Sequence, residues 1–393
     1  MLAAIWAAPA DAQDLTGHGG PVRALAADDG RMVSGGLDRR VIVWGEDAPA
    51  EILLVPGDAV TSLTLAPGAI YAGTQAGELF MWDGAEQARE MGRTEGAAGA
   101  LAVDAAGRLL AAGEDGSITI DGARHDAHDG PITGLAVLDG GWLASIGADL
   151  HLRFWDEKLR PAAAIGLPAV PSAIIADGPR QVVLTMADGR VARAGLEGLI
   201  EPVPLLDPPS PLIALARGPD GGLAAASISG VIWFLDDDLV PRGRAEGSAG
   251  PVWALAYRGD ELFAAGNDGV LRRYGADGTR LGESAPAELG AADHGANVWR
   301  ACAVCHALEP GDQSRAGPSL HGIFGRQIAT EEGYAFSQAL RAMDIVWTEE
   351  TISALFEHGP DAYTPGSRMP EQRLNAAARA ALVEYLREHG GGR

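Results

Sequence analysis

Apolar and polar residues alternate in short runs over the first three quarters of the chain, and the runs recur at intervals near 40 residues. In the first module they are residues 21–26, 31–36 and 41–44, separated by turn residues. Alternation with a period of two residues predicts β-strands. The third run of each module ends at an equivalent position, and these positions are Trp44, Trp82, Ile120, Trp155, Ala194, Phe234 and Tyr274. They lie 38, 38, 35, 39, 40 and 40 residues apart, which predicts seven similar β-modules.

One such module is too small to form a core around its own apolar face. Modules of this kind become stable when they stack, and a ring of four-stranded blades around an axis buries every face. We therefore predict a seven-bladed β-propeller over residues 13–282. A ring closed by both chain ends has no exposed sheet edge, and residues 13–17 would supply the outer strand of the last blade. Residues 279–285 are an alternative source of that strand.

Two modules carry the same four polar and aromatic residues at matching positions. The sets are His18, Ser34, Asp38 and Trp44 in the first module and His128, Ser145, Asp149 and Trp155 in the fourth. They resemble the WD40 β-propeller family, in which such a tetrad forms a buried hydrogen-bonded network. Buried polar groups without partners cost about 1–3 kcal/mol each. We therefore interpret the His and Asp residues as structural and not as catalytic pairs.

Strand alternation stops after Tyr274, and helical patterns follow. Thr348 stands before two acidic residues, which predicts a helix start, and Gly359 predicts its end. Asn375 precedes a last helix with apolar residues at helical spacing. The predicted organisation is a signal-peptide remnant at 1–12, the propeller at 13–282, a linker at 283–295 and a helical domain at 296–393.

The two cysteines of the chain lie in the run Cys302-Ala303-Val304-Cys305-His306. This CxxCH spacing is typical of covalent c-type haem attachment. Two thiols one helical turn apart can each add to one haem vinyl group, and the adjacent imidazole then lies beneath the iron. The alternatives are a redox CxxC and half of a zinc site. The first belongs in a βαβ context and the second needs further Cys or His ligands, and the sequence contains neither pattern.

The C-terminal part of the chain resembles class I cytochrome c of the mitochondrial and c2 type over residues 297–388. Residues 317–326 match the GPxLHGxFGR segment of that family, and residues 363–369 match its YxPGTKM segment. The resemblance implies one covalently bound haem c with His306 and Met369 as axial ligands of the iron. The predicted fold class is therefore an all-β, seven-bladed WD40-like propeller followed by an all-α class I cytochrome c domain.

The same resemblance assigns three further residues to the haem environment. Pro318 would accept a hydrogen bond from His306 through its carbonyl and hold the imidazole in orientation. Arg326 and Trp347 would lie near a haem propionate. Phe336 and Phe356 stand where the family has tyrosines, which removes two phenol hydrogen bonds from the expected haem surroundings.

Charge restricts the partners. The chain has a formal net charge of −23, which argues against binding to nucleic acid. From residue 293 onward there are 9 Arg and 13 acidic residues, so this part of the chain carries −4 and the rest carries −19. The lysine ring by which the family docks is missing, because Ala301, Asp361 and Ala362 occupy lysine positions and Arg368 alone is basic. We expect redox protein partners with a neutral or basic docking face.

The N-terminus begins with an apolar stretch followed by Ala10-Asp11-Ala12, which is similar to a signal-peptidase site. An apolar N-terminal strand is the alternative, because a basic segment does not precede the stretch. No run approaches the roughly 20 apolar residues of a membrane-spanning helix. Together with the haem, which bacteria attach outside the cytoplasmic membrane, this pattern predicts a periplasmic protein without a transmembrane segment.

These features predict an electron carrier and not an enzyme. With His306 and Met369 both bound, the iron would have no open position for a substrate. We expect the propeller to serve as a docking platform for a redox partner. The alternatives are a catalytic propeller whose electrons leave through the cytochrome and a propeller that is only a spacer, because a fold alone does not determine function.

Overall fold

A computed structural model describes residues 14–18, 20–28, 30–45, 50–84, 87–205, 210–248, 250–282, 295–296, 298–299, 302–303, 305–311, 317–367, 369, 374 and 376–391. The chain forms two compact units, Met1–Ala285 and Pro286–Arg393. The predicted signal remnant at 1–12 and the predicted linker, apart from Gly295, lie outside the described residues. So do three residues singled out from the sequence, namely Ala301, Arg368 and Asn375.

The first unit is built of short antiparallel strands. The N-terminal strand and the strands of blades 1 to 3 are β1 (Leu15–Thr16), β2 (Val22–Ala27), β3 (Met32–Gly36), β4 (Arg40–Trp44), β5 (Glu51–Leu54), β6 (Val60–Ala66), β7 (Ala69–Thr74), β8 (Glu78–Trp82), β9 (Arg89–Arg93), β10 (Ala98–Val103), β11 (Leu109–Gly113), β12 (Ser117–Ile120) and β13 (Ala123–Asp126). Those of blades 4 to 7 are β14 (Ile132–Leu138), β15 (Trp142–Gly147), β16 (His151–Trp155), β17 (Pro161–Gly166), β18 (Pro171–Ala176), β19 (Gln181–Met186), β20 (Arg190–Gly195), β21 (Gly198–Leu199), β22 (Val203–Pro204), β23 (Leu212–Arg217), β24 (Leu223–Ser227), β25 (Val231–Leu235), β26 (Pro241–Glu246), β27 (Val252–Arg258), β28 (Glu261–Gly266) and β29 (Val270–Gly275).

These strands form seven sheets, and the predicted seven-bladed propeller is confirmed. The first strand of each blade contacts the first strands of the two neighbouring blades, so β2, β6, β10, β14, β18, β23 and β27 form a closed inner ring. The apolar cores lie between blades. Phe154 of blade 4 packs with Leu184 of blade 5, and Phe263 of blade 7 packs with Ile42 of blade 1. Each blade therefore obtains its core from its neighbours, as the repeat pattern requires.

The N-terminal strand closes the ring, as predicted. β1 pairs with β29, with Leu15 opposite Leu271, and becomes the fourth strand of blade 7. Asp14 also forms an ion pair with Arg280. In the alternative stretch, Arg280 makes only an isolated bridge with Tyr274. Blade 7 is thus completed by both ends of the propeller sequence.

The third strand of every blade lies where the sequence predicted it, but two register positions were wrong. In blade 1, Trp44 lies opposite Met32. The corresponding pair in blade 6 is Leu235 opposite Leu223, so the equivalent of Trp44 is Leu235 and not Phe234. In blade 3, Ile120 is likewise one residue early, because it pairs with Leu110. The physical reason in blade 6 is that Phe234 and Leu235 are both buried, so alternation does not separate the two faces.

Both predicted tetrads form hydrogen-bonded networks. In blade 1, Trp44 Nε1 donates to Ser34 Oγ over 2.8 Å, and the hydroxyl bonds His18 Nε2 over 2.7 Å. The other imidazole nitrogen lies 3.0 Å from Asp38. Blade 4 repeats the arrangement, with the hydroxyl of Ser145 between His128 at 2.8 Å and Trp155 at 2.9 Å. The histidines therefore satisfy buried groups within their blades.

Removal of one tetrad hydroxyl is expected to destabilise the propeller. Ser145→Ala leaves the His128 nitrogen and the Trp155 indole N–H without a shared partner in a buried site. We expect the free energy of unfolding to fall by about 1–3 kcal/mol. Denaturant unfolding followed by circular dichroism measures the change, with Thr16→Val at an exposed strand position as control, expected within about 0.5 kcal/mol of the parent. Equal unfolding midpoints for the two variants would contradict a stabilising network.

The described part of the second unit contains the helices α1 (Gln338–Arg341), α2 (Glu349–His358), α3 (Pro360–Tyr363) and α4 (Ala376–His389). The predicted start of α2 is confirmed, because the Thr348 side chain accepts a hydrogen bond from the Thr351 amide in a capping box. Gly359 ends the helix with a φ of 86°, a conformation that favours glycine. None of the helices in the described ranges is long and apolar enough to cross a membrane.

Candidate functional site

One cavity in the second unit collects the chemistry of the sequence. It has a volume of about 300 Å³, at the lower end of the roughly 300–1,000 Å³ of ligand and cofactor pockets. Most of the side chains around it are apolar, including Leu320, Ile323, Leu355 and Phe356. Every residue that the sequence assigned to the haem lines this cavity, namely Cys302, Cys305, His306, Pro318, Arg326, Trp347 and Met369.

A helical turn positions the two cysteines and the histidine. The His306 amide donates to the Cys302 carbonyl over 2.9 Å, and the Cys305 amide donates to the same carbonyl over 3.0 Å. The turn thereby directs all three side chains into one cavity. Cys302 and Cys305 do not form a disulfide. Burial together with the neighbouring Cys305 raises the pKa of the Cys302 thiol to about 12.

His306 is oriented by one hydrogen bond, as the resemblance implied. Its Nδ1 lies 2.8 Å from the Pro318 carbonyl oxygen, so Nδ1–H donates and Nε2 keeps its lone pair. Burial lowers the pKa of His306, although the bond to Pro318 opposes the shift. The imidazole is therefore neutral at pH 7, which is the form that binds a metal ion.

Gly317 is required by the close packing beside His306, and sequence reasoning assigned it no role. A Cβ atom at this position would lie 2.5 Å from His306 Cε1 and 2.8 Å from the Cys305 carbonyl oxygen. The Gly317 amide donates to that carbonyl over 2.6 Å. The sequence did contain a signal for this role, namely the position of Gly317 directly before Pro318. The Pro318 carbonyl must approach a buried imidazole, so the residue beside it has little space for a side chain.

A short antiparallel pairing brings Arg326 and Trp347 together. The Trp347 amide donates to the Arg326 carbonyl over 2.9 Å, and the Gly325 amide donates to the Trp347 carbonyl over 2.8 Å. A further pair, Ile328 to Ile345, continues the ladder. Two residues that are 21 positions apart thus reach the same side of the cavity.

Arg326 is held by three acceptors. Its guanidinium donates to the Ser319 carbonyl over 2.7 Å and to the His321 carbonyl over 3.1 Å, and it forms an ion pair with Glu331. Glu331 also lines the cavity, and sequence reasoning missed it. A signal was present, because an acidic residue five positions after a family arginine is a candidate ion-pair partner. The cavity consequently has one cation and one carboxylate in its polar part.

Met369 reaches the cavity from a turn after α3. The Ser367 amide donates to the Thr364 carbonyl over 3.0 Å, and Gly366 has a φ of 86°. The Met369 amide donates to Ser367 Oγ over 3.0 Å, and this bond holds the backbone in position at Met369. The side chain is partly buried and packs with the core of the second unit.

The residues around the cavity fit a haem c. Two thiols stand beside an imidazole whose Nε2 is free, and a thioether sulfur reaches the same apolar space. Imidazole and thioether are the axial ligands of c-type cytochromes, and CxxCH thiols are their attachment points. Arg326 places a cation in the polar part of the cavity, and a guanidinium is a suitable partner for a haem propionate.

Comparison with known proteins agrees with both units. Residues 292–390 match the family model "Cytochrome c", and residues 11–45 match the model "WD domain, G-beta repeat". Cytochrome c2 of Blastochloris viridis is 41% identical over 110 residues, which are 26% of this chain and 82% of the relative. Cytochrome c of Arabidopsis thaliana is 38% identical over 101 residues, which are 25% of this chain and 89% of the relative.

Among solved structures, the first unit is similar to the WD40 β-propeller domain of Doa1. The TM-score is 0.60 at 13% sequence identity, and the match covers 66% of this chain and 94% of the other. This likeness concerns the fold alone. The identity with the cytochrome c relatives shows that the chain belongs to the cytochrome c family. The chain is a fusion of a seven-bladed propeller of the WD40 type with a cytochrome c domain that binds haem c covalently.

Proposed function

We propose that the protein is a periplasmic one-electron carrier with a single haem c, held in an all-α class I cytochrome c domain. The observation that carries the proposal is the convergence of the two thiols, His306 and Met369 on one cavity of about 300 Å³. We assign His306 and Met369 as the side chains that would ligate the haem iron. The signal-like start of the chain supports the periplasm, although residues 1–12 lie outside the described part.

The side chains of this domain bind and orient the cofactor. Cys302 and Cys305 would hold it through thioether bonds, and the Pro318 carbonyl keeps the imidazole in the tautomer that presents Nε2. When bound, the haem supplies one-electron exchange between ferrous and ferric iron. With a nitrogen and a sulfur ligand assigned, no coordination position is left for a substrate, so we propose a carrier and not an enzyme.

For the propeller we propose a docking platform for a redox partner. Both conspicuous His–Asp pairs, His18 with Asp38 and His128 with Asp149, are already used in tetrads that stabilise blades. This argues against their use as catalytic acids or bases. The net charge of −23 favours partners with a neutral or basic docking face. A tethered cytochrome beside a docked partner would exchange electrons at a high effective concentration.

The test is to count cofactors and electrons in the purified full chain. Pyridine haemochrome analysis is expected to give one haem per chain, and coulometric titration is expected to give one electron per chain with a one-electron Nernst slope. A second redox cofactor in the protein, or more than one electron per chain, would favour the rival function, an oxidoreductase with a catalytic propeller.

The ion pair in the cavity is expected to influence the reduction potential. Glu331→Gln removes a carboxylate that lines the cavity and pairs with Arg326. A negative charge near the cofactor favours the ferric form, so we expect the midpoint potential to rise by an amount on the order of tens of millivolts. Spectroelectrochemical titration measures the shift.

The matched control for this change is Glu332→Gln. Glu332 has the same charge one residue further along, but its side chain is exposed and does not line the cavity. Water and salt screen such a charge, so its removal is expected to change the potential much less. Equal shifts for the two variants would contradict a specific effect of Glu331.

A further inference from the structure

The inner ring of the propeller has a β-bulge at the same place in every blade. The register of the first and second strands shifts by one residue near the start of each first strand. A bulge re-aims the extra side chain away from the regular pairing. The residues at these seven bulges, which we name the bulge ring, are Arg23, Thr61, Gly99, Thr133, Ser172, Ile213 and Trp253.

Four members of the bulge ring are small, and three of them bond to the next blade. Thr61 Oγ1 donates to the Ala98 carbonyl over 2.9 Å, and Thr133 Oγ1 donates to the Pro171 carbonyl over 2.9 Å. Ser172 bonds the Leu212 carbonyl in the same way. At Gly99, a Cβ atom would lie 2.8 Å from the corresponding carbonyl, that of Ile132. This part of the ring is occupied by contacts between blades.

The arc formed by blades 7 and 1 differs. The guanidinium carbon of Arg23 lies 3.8 Å from the centroid of the Trp253 ring, and the indole N–H donates to Asn267 Oδ1 over 2.6 Å. The aromatic ring is therefore fixed, and the cation stacks on it. Within the described ranges, no carboxylate pairs with Arg23 and no group accepts a hydrogen bond from its guanidinium.

An arginine in this state is suited to bind an anion. Burial lowers the pKa of Arg23, and no acidic neighbour among the described residues offsets that shift. Guanidinium groups have planar donors that match a carboxylate in a bidentate pair, and stacking on an aromatic ring orients them without using those donors. The stacked Arg23 thus presents a hydrogen-bonding edge that the part of the protein described by the structure leaves unused.

The same end of the propeller presents further features that suit a polypeptide. Arg39 is exposed at the turn after β3, with a φ of 60° at a position where five other blades have glycine. Leu150 occupies the equivalent position in blade 4 with a φ of 62° and is 40% exposed. Val170 and Ile228 are also at this end and are 40% and 41% exposed. This end of the propeller therefore combines two arginines of blade 1, Arg23 and Arg39, with exposed apolar side chains. Such a surface fits a polypeptide segment that contains both a carboxylate and apolar residues.

We propose that Arg23 and Trp253 form a carboxylate-binding site at this end of the inner ring, and that its ligand is an acidic side chain in an extended segment of a partner protein. The site rests on the proposed docking function and specifies its chemistry. One carboxylate pairs with Arg23, and apolar residues of the segment contact the rim at Leu150 and Ile228. Because the chain has a net charge of −23, the rest of the segment is neutral or basic.

The test uses the full-length holoprotein labelled with ¹⁵N-tryptophan. The probe is the capped peptide acetyl-Gly-Lys-Val-Ala-Glu-Ala-Leu-Lys-Gly-amide, and its matched partner has Gln in place of Glu. The indole N–H signal of Trp253, assigned by its loss in Trp253→Phe, reports on the site. We expect a saturable shift with the Glu peptide and about tenfold weaker binding of the Gln peptide, because a charge-assisted hydrogen bond is lost.

Variants separate the site from the general effect of a surface arginine. Arg23→Gln is expected to weaken binding of the Glu peptide about tenfold, and Arg23→Lys to weaken it less, because the charge stays while the planar fork is lost. Arg180 also stacks on a tryptophan, at 4.5 Å from the Trp142 centroid, but it lies outside the bulge ring and is exposed. Arg180→Gln is therefore the control and is expected to leave binding unchanged.

Three outcomes would overturn the proposal. They are no binding of the Glu peptide, equal binding of the Glu and Gln peptides, and an equal shift produced by sodium acetate or inorganic phosphate at the same concentration, which would assign the site to a free anion. The electron count per chain is measured independently. One electron per chain without peptide binding would contradict the Arg23 site and leave the proposed carrier function standing. Peptide binding together with a second redox cofactor would support the site and contradict the carrier function.

Discussion

Replacing both Cys302 and Cys305 by alanine is expected to abolish covalent haem attachment. The two thiols line the same cavity as His306, and a helical turn joins residues 302 and 306. These thiols would hold the haem by adding to its vinyl groups. The chain has no other cysteine, so no second attachment point can replace them. Haem staining of a denaturing gel and intact mass spectrometry measure the result, and we expect the covalent haem signal to fall below one-tenth of the parent.

The single variants make this experiment sharper. Cys302→Ala and Cys305→Ala each keep one thiol, so each is expected to hold haem through one thioether at a reduced yield. A Cys302 and Cys305 double variant that still carried covalent haem would show that attachment uses another residue. Met369→Ala serves as the control for handling and expression, because it leaves both thiols in place and is expected to retain covalent haem.

The propeller could be predicted from the sequence because its blades obey local rules. Period-two alternation and the two polar tetrads identified all seven third strands, and the outer strand from the N-terminus followed from ring closure. The exact register of the third strand in blades 3 and 6 could not be predicted from the sequence. Where consecutive residues such as Phe234 and Leu235 are both buried between blades, hydrophobicity no longer reports which face each side chain occupies.

In the cytochrome domain, the residues that face the cavity could be predicted, together with one contact between them. The family resemblance named the residues from Cys302 to Met369 that meet there and the hydrogen bond from His306 to Pro318, which the structure places at 2.8 Å. The other contacts could not be predicted. The packing of Gly317 against the imidazole and the pairing of Arg326 with Glu331 depend on the path of a loop. A sequence pattern does not encode such a path directly.

The stacked Arg23 illustrates the same limit in the propeller. In the sequence it is one arginine among many in an alternating strand. Its meaning comes from the closed ring, which places the first and last blades side by side and brings Trp253 to it across 230 positions of sequence. Long-range contacts of this kind need the three-dimensional structure.

The assignment of Met369 as a ligand of the haem iron can be tested by replacing it with alanine. The thioether sulfur is the softer of the two assigned donors, and Met and His ligation together raise the potential of a c-type haem. Loss of the sulfur is expected to remove the iron–sulfur charge-transfer band. It is also expected to lower the midpoint potential by at least about 100 mV, within the range of about 0.8 V that axial ligands span.

Met343→Ala is the matched control for this change. Met343 lies in the same unit and is partly buried, but it does not line the cavity. Its removal is expected to keep both the charge-transfer band and the potential, because no donor to the iron is lost. If Met369→Ala kept the band and Met343→Ala removed it, the ligand assignment would pass to Met343. Loss of the band in Met369→Ala alone, with the covalent haem retained, would identify Met369 as the distal ligand and separate ligation from attachment.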